Sequence, residues 1–383
     1  MKLLTITSLL FFTMFVGTTS AQTFTLNKQE IVPAMERVAD WQIANFTYST
    51  EGSPYYLHDW GIDAWTNATL FIGMFRWAEI ANNDKYFDWL MNIGNTTQWK
   101  APTHLQNTRH EFYHADELAI LQFYELMYRR FGKIEMIADS RWRLDKIMNN
   151  PGNMCMTQRN LQTWSWCDAL FMAPPAFIGM WDITGDERYL NFANKHFKIT
   201  WRYLYHPDER LFFRDDRFFD RREANGEHIF WGRGNGWTAA GITNILKIIP
   251  QGHDARAFYE LLFREHVSRL ASLQNRETGF WHASLLDPAS FPAPEASATA
   301  MITFAIAYGV NSGLLCAETY APIVDKAWRA LLTAIHDCGK LGWVQPIGAD
   351  PRLTTKDMTH VYGVGAFLMA GAEIMRGMTL VAE

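Results

Sequence analysis

The stretch TWSWCDALFMAPP, residues 163–175, joins a loop that contains two tryptophans to the start of an apolar helix. Asp168 lies at this junction, between Trp166 and Phe171. Burial among apolar side chains disfavours the charged form of a carboxyl group and raises its pKa, as a general acid near neutral pH requires. Aspartate is also a preferred N-cap residue, so Asp168 is equally well explained as the cap of this helix. The stretch alone does not decide between the two roles.

The helix that follows Asp168 belongs to a series that recurs along the chain. Helices of this series are apolar on nearly all sides and rich in small residues, which is typical of buried helices. They start near Asp63, Ala115, Asp168, Gly236, Ser297 and Tyr362. A helix at residues 26–46 precedes the first of them, and more charged helices lie between them at residues 85–93, 134–148, 187–206, 255–273 and 322–335.

This alternation of apolar and charged helices predicts the fold. Extended structure is expected only in short pieces at residues 212–214 and 279–282, and no Pro/Gly/Ser-rich linker divides the chain. We therefore expect an all-α protein, with residues 22–383 forming a single (α/α)6 catalytic domain. In such a toroid the apolar helices form an inner ring and line a central cavity. An open helical solenoid is the alternative arrangement of the same pairs.

Composition and charge exclude some function classes. The chain has 383 residues, of which 48% are hydrophobic and 20% charged, so it is a globular protein with a large core. The formal net charge is −5 and no long basic run occurs, which argues against nucleic acid as a partner. The 16 tryptophans favour carbohydrate binding, because a flat indole ring covers the flat apolar face of a sugar.

Residues 1–21 have the pattern of a cleavable secretory signal. Lys2 supplies the positive start, residues 3–16 the apolar core, and residues 19–21 a small-residue cleavage site before Gln22. The apolar run is too short for a confident membrane span, so no membrane partner is expected. We expect a secreted or periplasmic protein. Four cysteines are too few for a disulfide framework, and the sequence does not select a pair for a single bridge.

Polar and aromatic residues concentrate where the inner helices are predicted to start. In a toroid these starts share one rim, so the residues together predict a funnel-shaped binding pocket. They are His58, Asp59, Trp60, Asp63, His110, His114, Asp116, Trp164, Trp166, Asp168, Trp231, Arg233, Asn235, Trp237, Glu295, Thr359 and His360.

Each of the charged rim residues also has a structural explanation. Asp63 and Asp116 are possible helix caps. His110 and His114 are four residues apart, a spacing that suits a metal, but no third ligand is evident and no metal site is expected. Arg233 lies between glycines and either braces a turn or pairs with a carboxylate. The glycines around it lack the spacing of a dinucleotide-binding loop.

Four stretches of the sequence resemble one known group of enzymes. They are HADELA at residues 114–119, WCDALFMAPP at 166–175, WGRGNGW at 231–237 and PEASATAM at 294–301. The chain resembles the unsaturated uronyl hydrolases of glycoside hydrolase families 88 and 105, and family 105 most. The resemblance implies the (α/α)6 fold and removal of a terminal 4,5-unsaturated uronic acid from oligosaccharides that polysaccharide lyases produce. It implies no cofactor.

The same resemblance implies roles for individual residues. Asp168 would be the general acid and would also activate the water, and Asp116 would hold sugar hydroxyls and tune Asp168. Arg233 would bind the uronate carboxylate. The residues expected to contact the sugar by stacking or by lining the subsite are Trp231, Trp237, His114 and, as a weaker candidate, Trp60.

One segment departs from the family pattern. Many relatives carry a histidine near position 214, where this chain reads LFFRDDRFFDRR at residues 211–222. Arg214 would then contact the sugar or an additional anion, such as a sulfate ester on the next sugar. The alternative is that Asp215, Asp216 and Asp220 neutralise the arginines in a surface loop, which we favour for the later arginines of the segment.

These observations predict a hydrolase that acts on an unsaturated uronyl residue linked to rhamnose. Fragments of rhamnogalacturonan and of sulfated ulvan both fit, and the additional arginines favour ulvan weakly. One alternative is a conventional toroid glycosidase in which Asp116 and Asp168 act as acid and base. Another is a carbohydrate-binding protein that has the cleft and no turnover. The sequence leaves the oligomeric state open.

Overall fold

The computed structural model describes residues 24–47, 61–102, 112–158 and 160–380, and helices dominate these residues. The α-helices are α1 Lys28–Ala44, α2 Trp65–Ala81, α3 Asp84–Thr96, α4 Ala115–Phe131, α5 Ala138–Asn149, α6 Ala169–Met172, α7 Pro174–Thr184, α8 Glu187–Leu204, α9 Gly232–Ile248, α10 Arg256–Ser272, α11 Ala296–Asn311, α12 Ala317–Thr333 and α13 Val361–Leu380. Strands β1 Tyr205–His206 and β2 Leu211–Phe212 pair antiparallel. Turns of 3₁₀ helix cover Ile134–Met136 and Asp216–Phe218.

The helices form two concentric rings. The inner ring runs from α2 through α4, α6 with α7, α9 and α11 to α13, and each of these packs on the next. The ring closes because α13 packs along α2. Helices α1, α3, α5, α8, α10 and α12 lie outside. This closure confirms the (α/α)6 toroid and excludes the open solenoid.

The sequence explains why the two sets of helices take these places. Every residue of α9 from Gly232 to Leu246 is buried, as is every residue of α11 from Ala296 to Val310. A helix that is apolar on all sides is stable only when other elements surround it. In contrast, the outer helix α8 buries one face, which includes Tyr189 and Phe197, and presents charged residues to solvent.

Glycines permit the closest helix contact in the ring. A Cβ atom added to Gly365 of α13 would lie 2.2 Å from the carbonyl oxygen of Thr69, and one added to Gly73 of α2 would lie 2.2 Å from that of Gly365. Real Cβ atoms do not approach backbone so closely, so the two helix backbones meet at this point only because both positions are glycine.

Two inner helices differ from the prediction. Helix α9 begins at Gly232 rather than near Gly236, so Arg233 and Asn235 lie in its first turn instead of in the preceding loop. The third inner helix is interrupted at Ala173, and Pro174 then starts α7 at the position that proline tolerates best. Of the predicted extended pieces, only residue 212 lies in a strand, and residues 279–282 form none.

Three further expectations concern residues that the structure does not describe, membrane-spanning helices and the cysteines. Residues 1–21 and the predicted rim residues His58, Asp59, Trp60 and His110 lie outside the described residues. Within the described part of the chain, no helix has the length and apolar character needed to cross a membrane. All four cysteines are free thiols, and Cys167 is the buried one among them.

We expect Gly365→Ala to lower the free energy of unfolding by about 3 kcal/mol or more, because the new methyl group forces α2 and α13 apart. The measurement is equilibrium unfolding in urea, followed by circular dichroism. Gly132→Ala is the control: Gly132 has a φ of 71° and open space around it, so only the cost of that backbone conformation, about 1 kcal/mol, applies. Equal effects of the two variants would contradict the steric role of Gly365.

Candidate active site

A cavity of about 310 Å³ opens at the end of the toroid where the inner helices begin. Its lining comes from α6, from the starts of α2, α4 and α9, from the segment after β2 and from the loop that precedes α13. The lining residues are Trp65, Asp116, Trp166, Asp168, Met172, Arg214, Trp231, Arg233, Trp237, Ile347, Gly348, Ala349 and Arg352. Larger cavities of about 760 and 340 Å³ in the described part of the chain contain none of the predicted site residues.

Asp168 is buried at the wall of this cavity, with 7% of its surface exposed. It occupies the N-cap position of α6, but its side chain makes no capping hydrogen bond. Instead, Nε of Arg214 donates a hydrogen bond to Asp168 Oδ2 at 3.2 Å. The structure therefore supports a role for this carboxyl group in the cavity rather than as a helix cap.

Arg214 connects Asp168 to a second buried carboxylate. Its Nη1 donates to Asp215 Oδ2 at 2.5 Å, and Arg217 donates to both oxygens of Asp215 at 2.8 and 2.7 Å. Burial lowers the pKa of Arg214, but the charges of Asp168 and Asp215 outweigh it and raise this pKa above the usual value. Burial likewise raises the pKa of Asp215, but the hydrogen bonds and charges of Arg217 and Arg214 hold it below the usual value. The row Asp168–Arg214–Asp215–Arg217 is thus a chain of alternating acidic and basic side chains.

The two explanations offered for the arginine segment apply to different residues. Asp215 pairs with Arg217, as the neutralising explanation expects, but it also pairs with the cavity residue Arg214. Asp216 accepts hydrogen bonds from the backbone N–H of Gln158 and from the hydroxyl of Tyr203 instead. Arg214 therefore belongs to the cavity and is already bonded to two carboxylates there.

Asp116 faces the same cavity from the first turn of α4. The cap of α4 is His114, whose Nδ1 accepts a hydrogen bond from the backbone N–H of Asp116 at 3.2 Å. The capping alternative for Asp116 is therefore wrong. The His114 ring lies 5.0 Å from that of Trp166, so this histidine stands beside the aromatic wall of the cavity.

Arg233 braces the loop that precedes α13. Its Nη1 and Nη2 donate to the carbonyl oxygens of Gln345 at 2.5 Å and Pro346 at 2.9 Å. The guanidinium carbon lies 4.4 Å from the ring centre of Trp231 and 4.9 Å from that of Tyr362. The bracing explanation is thus confirmed. Binding of a substrate carboxylate by Arg233, which is only 1% exposed, stays a prediction.

The tryptophans of the WGRGNGW stretch are fixed in the cavity wall. Trp231 Nε1 donates to Gln345 Oε1 at 3.2 Å, and Trp237 packs 4.8 Å from the ring of Phe171. Both indoles line the cavity, and stacking of either on a sugar stays a prediction. Asn235 is structural, because its side chain bonds both the N–H and the carbonyl of Phe212, two residues before Arg214.

Comparison with known proteins assigns the chain to a family. Residues 34–378 match glycosyl hydrolase family 88. The chain belongs to this family. It is therefore a glycoside hydrolase, and the resemblance seen in the four sequence motifs is confirmed.

Individual relatives of this family 88 hydrolase cover nearly the whole chain. A protein from Alteromonas sp. (strain LOR), named unsaturated 3S-rhamnoglycuronyl hydrolase, is 34% identical over 357 residues, which are 89% of this chain and 84% of the relative. A protein of the same name from Formosa agariphila is 33% identical over 373 residues, 92% of each chain. A solved family 88 structure from Bacteroides vulgatus has a TM-score of 0.81 at 28% identity, covering 92% of this chain and 100% of that one.

The hydrolase also has cavity residues that sequence reasoning missed. Ile347, Gly348, Ala349 and Arg352 come from the loop before α13, which Gln345 anchors through a hydrogen bond from its Nε2 to the carbonyl of Asp350. The only signal in the sequence was the charge of Arg352 about ten residues before a predicted inner helix. Glu295, predicted at the rim, is instead a fully buried cap of α11.

We expect Arg233→Gln to lower both stability and activity. Loss of two hydrogen bonds from a charged donor costs about 2 kcal/mol, and the loop that carries Arg352 loses its anchor. Thermal unfolding and kcat/KM measure the two effects. Arg352→Gln is the matched control, because its side chain is 63% exposed and its removal should leave the melting temperature unchanged. A rise in KM for Arg233→Gln at an unchanged melting temperature would show that Arg233 binds substrate and braces nothing.

Proposed function

We propose that this hydrolase removes a terminal 4,5-unsaturated uronic acid, linked to rhamnose, from oligosaccharides that polysaccharide lyases produce. The observation that carries the proposal is the buried Asp168, held by Arg214 in a cavity that Asp116 and tryptophans also line. The names of the two relatives, which refer to unsaturated rhamnoglycuronyl substrates, support the same substrate class.

The electrostatics of the cavity suit an acidic sugar. Inner helices α2, α4 and α9 begin here, and the start of a helix carries partial positive charge from its free N–H groups. Three arginines, Arg214, Arg233 and Arg352, line the cavity with only two carboxyl groups, Asp116 and Asp168. Arg214 pairs with Asp168 and Asp215, and Arg352 pairs with Asp350, whereas Arg233 bonds backbone carbonyls. The charge of Arg233 and the helix starts therefore favour a uronate over a neutral sugar.

The proposed reaction begins at the enol ether of the unsaturated sugar. Asp168 in its acid form donates a proton to C4, which leaves positive charge shared between C5 and the ring oxygen. Water adds to C5 and gives up a proton to the Asp168 carboxylate, so the acid is restored. The hemiketal at C5 then opens, its ring oxygen becomes the hydroxyl of a hemiacetal at C1, and collapse of this hemiacetal expels the rest of the chain as an alcohol.

Asp116 and the tryptophans have supporting roles in this scheme. Asp116 accepts hydrogen bonds from sugar hydroxyls and fixes C4 against Asp168. The indoles of Trp231 and Trp237 form the apolar wall for the ring. The carboxylate of the sugar and any sulfate ester on the rhamnose require cations. Arg352, on a loop that was not predicted from the sequence to reach the cavity, is an exposed cation there.

The proposal is tested by the ultraviolet band of the conjugated C4=C5 bond. We expect purified protein to abolish the band of lyase-generated oligosaccharides from ulvan or from rhamnogalacturonan, and the faster substrate identifies the polysaccharide. Asp168→Asn should lower the rate by at least about 10³-fold and Asp116→Asn by about 10²-fold, because general acid catalysis contributes about 10² to 10⁴. Asp220→Asn, which removes an equal charge from an exposed position, should leave the rate unchanged.

Other outcomes of this assay identify the alternatives. A band that persists on every unsaturated substrate, together with release of reducing sugar from a saturated glycan, would establish a conventional two-carboxylate glycosidase. A persistent band with tight sugar binding that survives Asp168→Asn would establish a binding protein.

We also propose that the protein is secreted or periplasmic. The support is the signal pattern of residues 1–21, which lie outside the described residues. Protein recovered from the periplasm or the medium should have the mass of a chain that starts at Gln22. Recovery of the full-length chain from the cytoplasm alone would overturn this proposal.

A further inference from the structure

We propose that Asp215 is a positioning residue, which holds Arg214 against Asp168 and sets how readily Asp168 keeps its proton. The inference rests on the proposed function, in which Asp168 is the general acid. Asp215 itself is fully buried and does not line the cavity, so it has no route to the substrate. Its effect on catalysis must therefore pass through Arg214.

The contacts show how Asp215 fixes the arginine. Arg214 uses different nitrogens for its two partners, Nε for Asp168 and Nη1 for Asp215, so the guanidinium bridges the two carboxylates. The backbone is fixed as well, because the N–H of Cys167 donates to the carbonyl of Arg214 at 2.9 Å. Asp215 in turn accepts the backbone N–H of Arg217 through Oδ1, at the start of a 3₁₀ turn. Hydrogen bonds therefore hold both Arg214 and Asp215 in place.

The charges along this bridge act on Asp168 in opposite directions. Burial favours the neutral acid form of Asp168, which the reaction requires, whereas the adjacent Arg214 favours the carboxylate form. Asp215 carries a negative charge on the far side of Arg214 and offsets part of its attraction. Removal of the charge of Asp215 should therefore leave Arg214 as an unopposed cation beside the general acid.

Other charged and titratable groups face Asp168 from every element around it, and the variants proposed below leave them in place. On its own element the Sγ of Cys167 lies 3.9 Å from Oδ1, and burial raises the pKa of this thiol well above the usual value, so it is neutral. The others that contact Asp168 or share its cavity wall are Asp116 and His114 from α4, Arg214 after β2, Arg233 from α9 and Arg352 from the loop before α13.

The first test is Asp215→Asn, with kcat/KM measured as a function of pH. The limb on which activity falls as pH rises reports loss of the proton from the general acid in the free enzyme. Without the charge of Asp215, Arg214 stabilises the Asp168 carboxylate more strongly, so this limb should move to lower pH by about one unit. KM at low pH should change by less than about twofold, because Asp215 does not touch the cavity.

A second variant predicts a shift of opposite sign. Arg217 is an exposed residue whose charge compensates Asp215, so Arg217→Gln should strengthen the effect of Asp215 on Arg214. The same limb should then move to higher pH. Asp216→Asn is the matched control, because it removes a neighbouring negative charge that bonds Gln158 and Tyr203 and has no contact with Arg214. Its limb should stay within about 0.2 pH units of the wild type.

A purely structural role for Asp215 would give a different result. Asp215→Asn would then lower the melting temperature and the amount of active protein, while the limb stayed in place in both variants, and the inference would be wrong. The pKa of Asp168 is also measurable without turnover, from the ¹³C shift of its carboxyl carbon during titration, assigned with Asp168→Asn. If the protein acts on no unsaturated substrate, the proposed function fails, yet opposite shifts of this pKa in the two variants still support the role of Asp215. Unchanged pKa values overturn it.

Discussion

The close contact between α2 and α13 is the constraint on which the rest of the structure depends. These are the first and last helices of the inner ring, and their backbones meet where Gly73 lies against Gly365. A sequence separation of nearly three hundred residues adds the entropy of closing a long loop to the cost of this contact. Once it is made, all the inner helices point the same way and their starts share one rim. The cavity is a consequence of that closure.

Anchoring of the rim loops then gives the cavity its chemical character. Asn235 of α9 bonds both backbone groups of Phe212 and thereby places Arg214 beside Asp168. Gln345 receives hydrogen bonds from Arg233, Trp231 and Tyr362, and it holds the loop that carries Arg352. Fully buried polar residues therefore determine the positions of the charged residues of the cavity. For this reason a functional motif such as WGRGNGW mixes residues of the cavity wall with residues that only hold it.

The sequence was sufficient to predict the toroid and the position of Asp168 and Asp116 at its cavity, but not the contacts between distant segments. The alternation of apolar and amphipathic helices can be recognised from short stretches of sequence, without knowledge of which helices are in contact. The acceptors of Arg233 are backbone carbonyls more than a hundred residues away, and any residue has a carbonyl, so no pattern marks them. Glycines at 232, 234 and 236 also argue against helix by propensity, yet their small size lets α9 pack on its neighbours. Tertiary packing outweighed local preference there.

The sharing of Arg214 between Asp168 and Asp215 resolves an apparent conflict between the two roles proposed for Asp168. An aspartate that must donate a proton is poorly served by an adjacent arginine, because the ion pair favours the carboxylate. In the proposed reaction the same aspartate acts as a base in the next step, when it takes a proton from water, and the arginine then favours it. An arginine shared between Asp168 and Asp215 provides an intermediate degree of attraction, so neither form of Asp168 is strongly excluded. The shared arginine therefore suits a carboxyl group that both donates and accepts a proton in the proposed turnover.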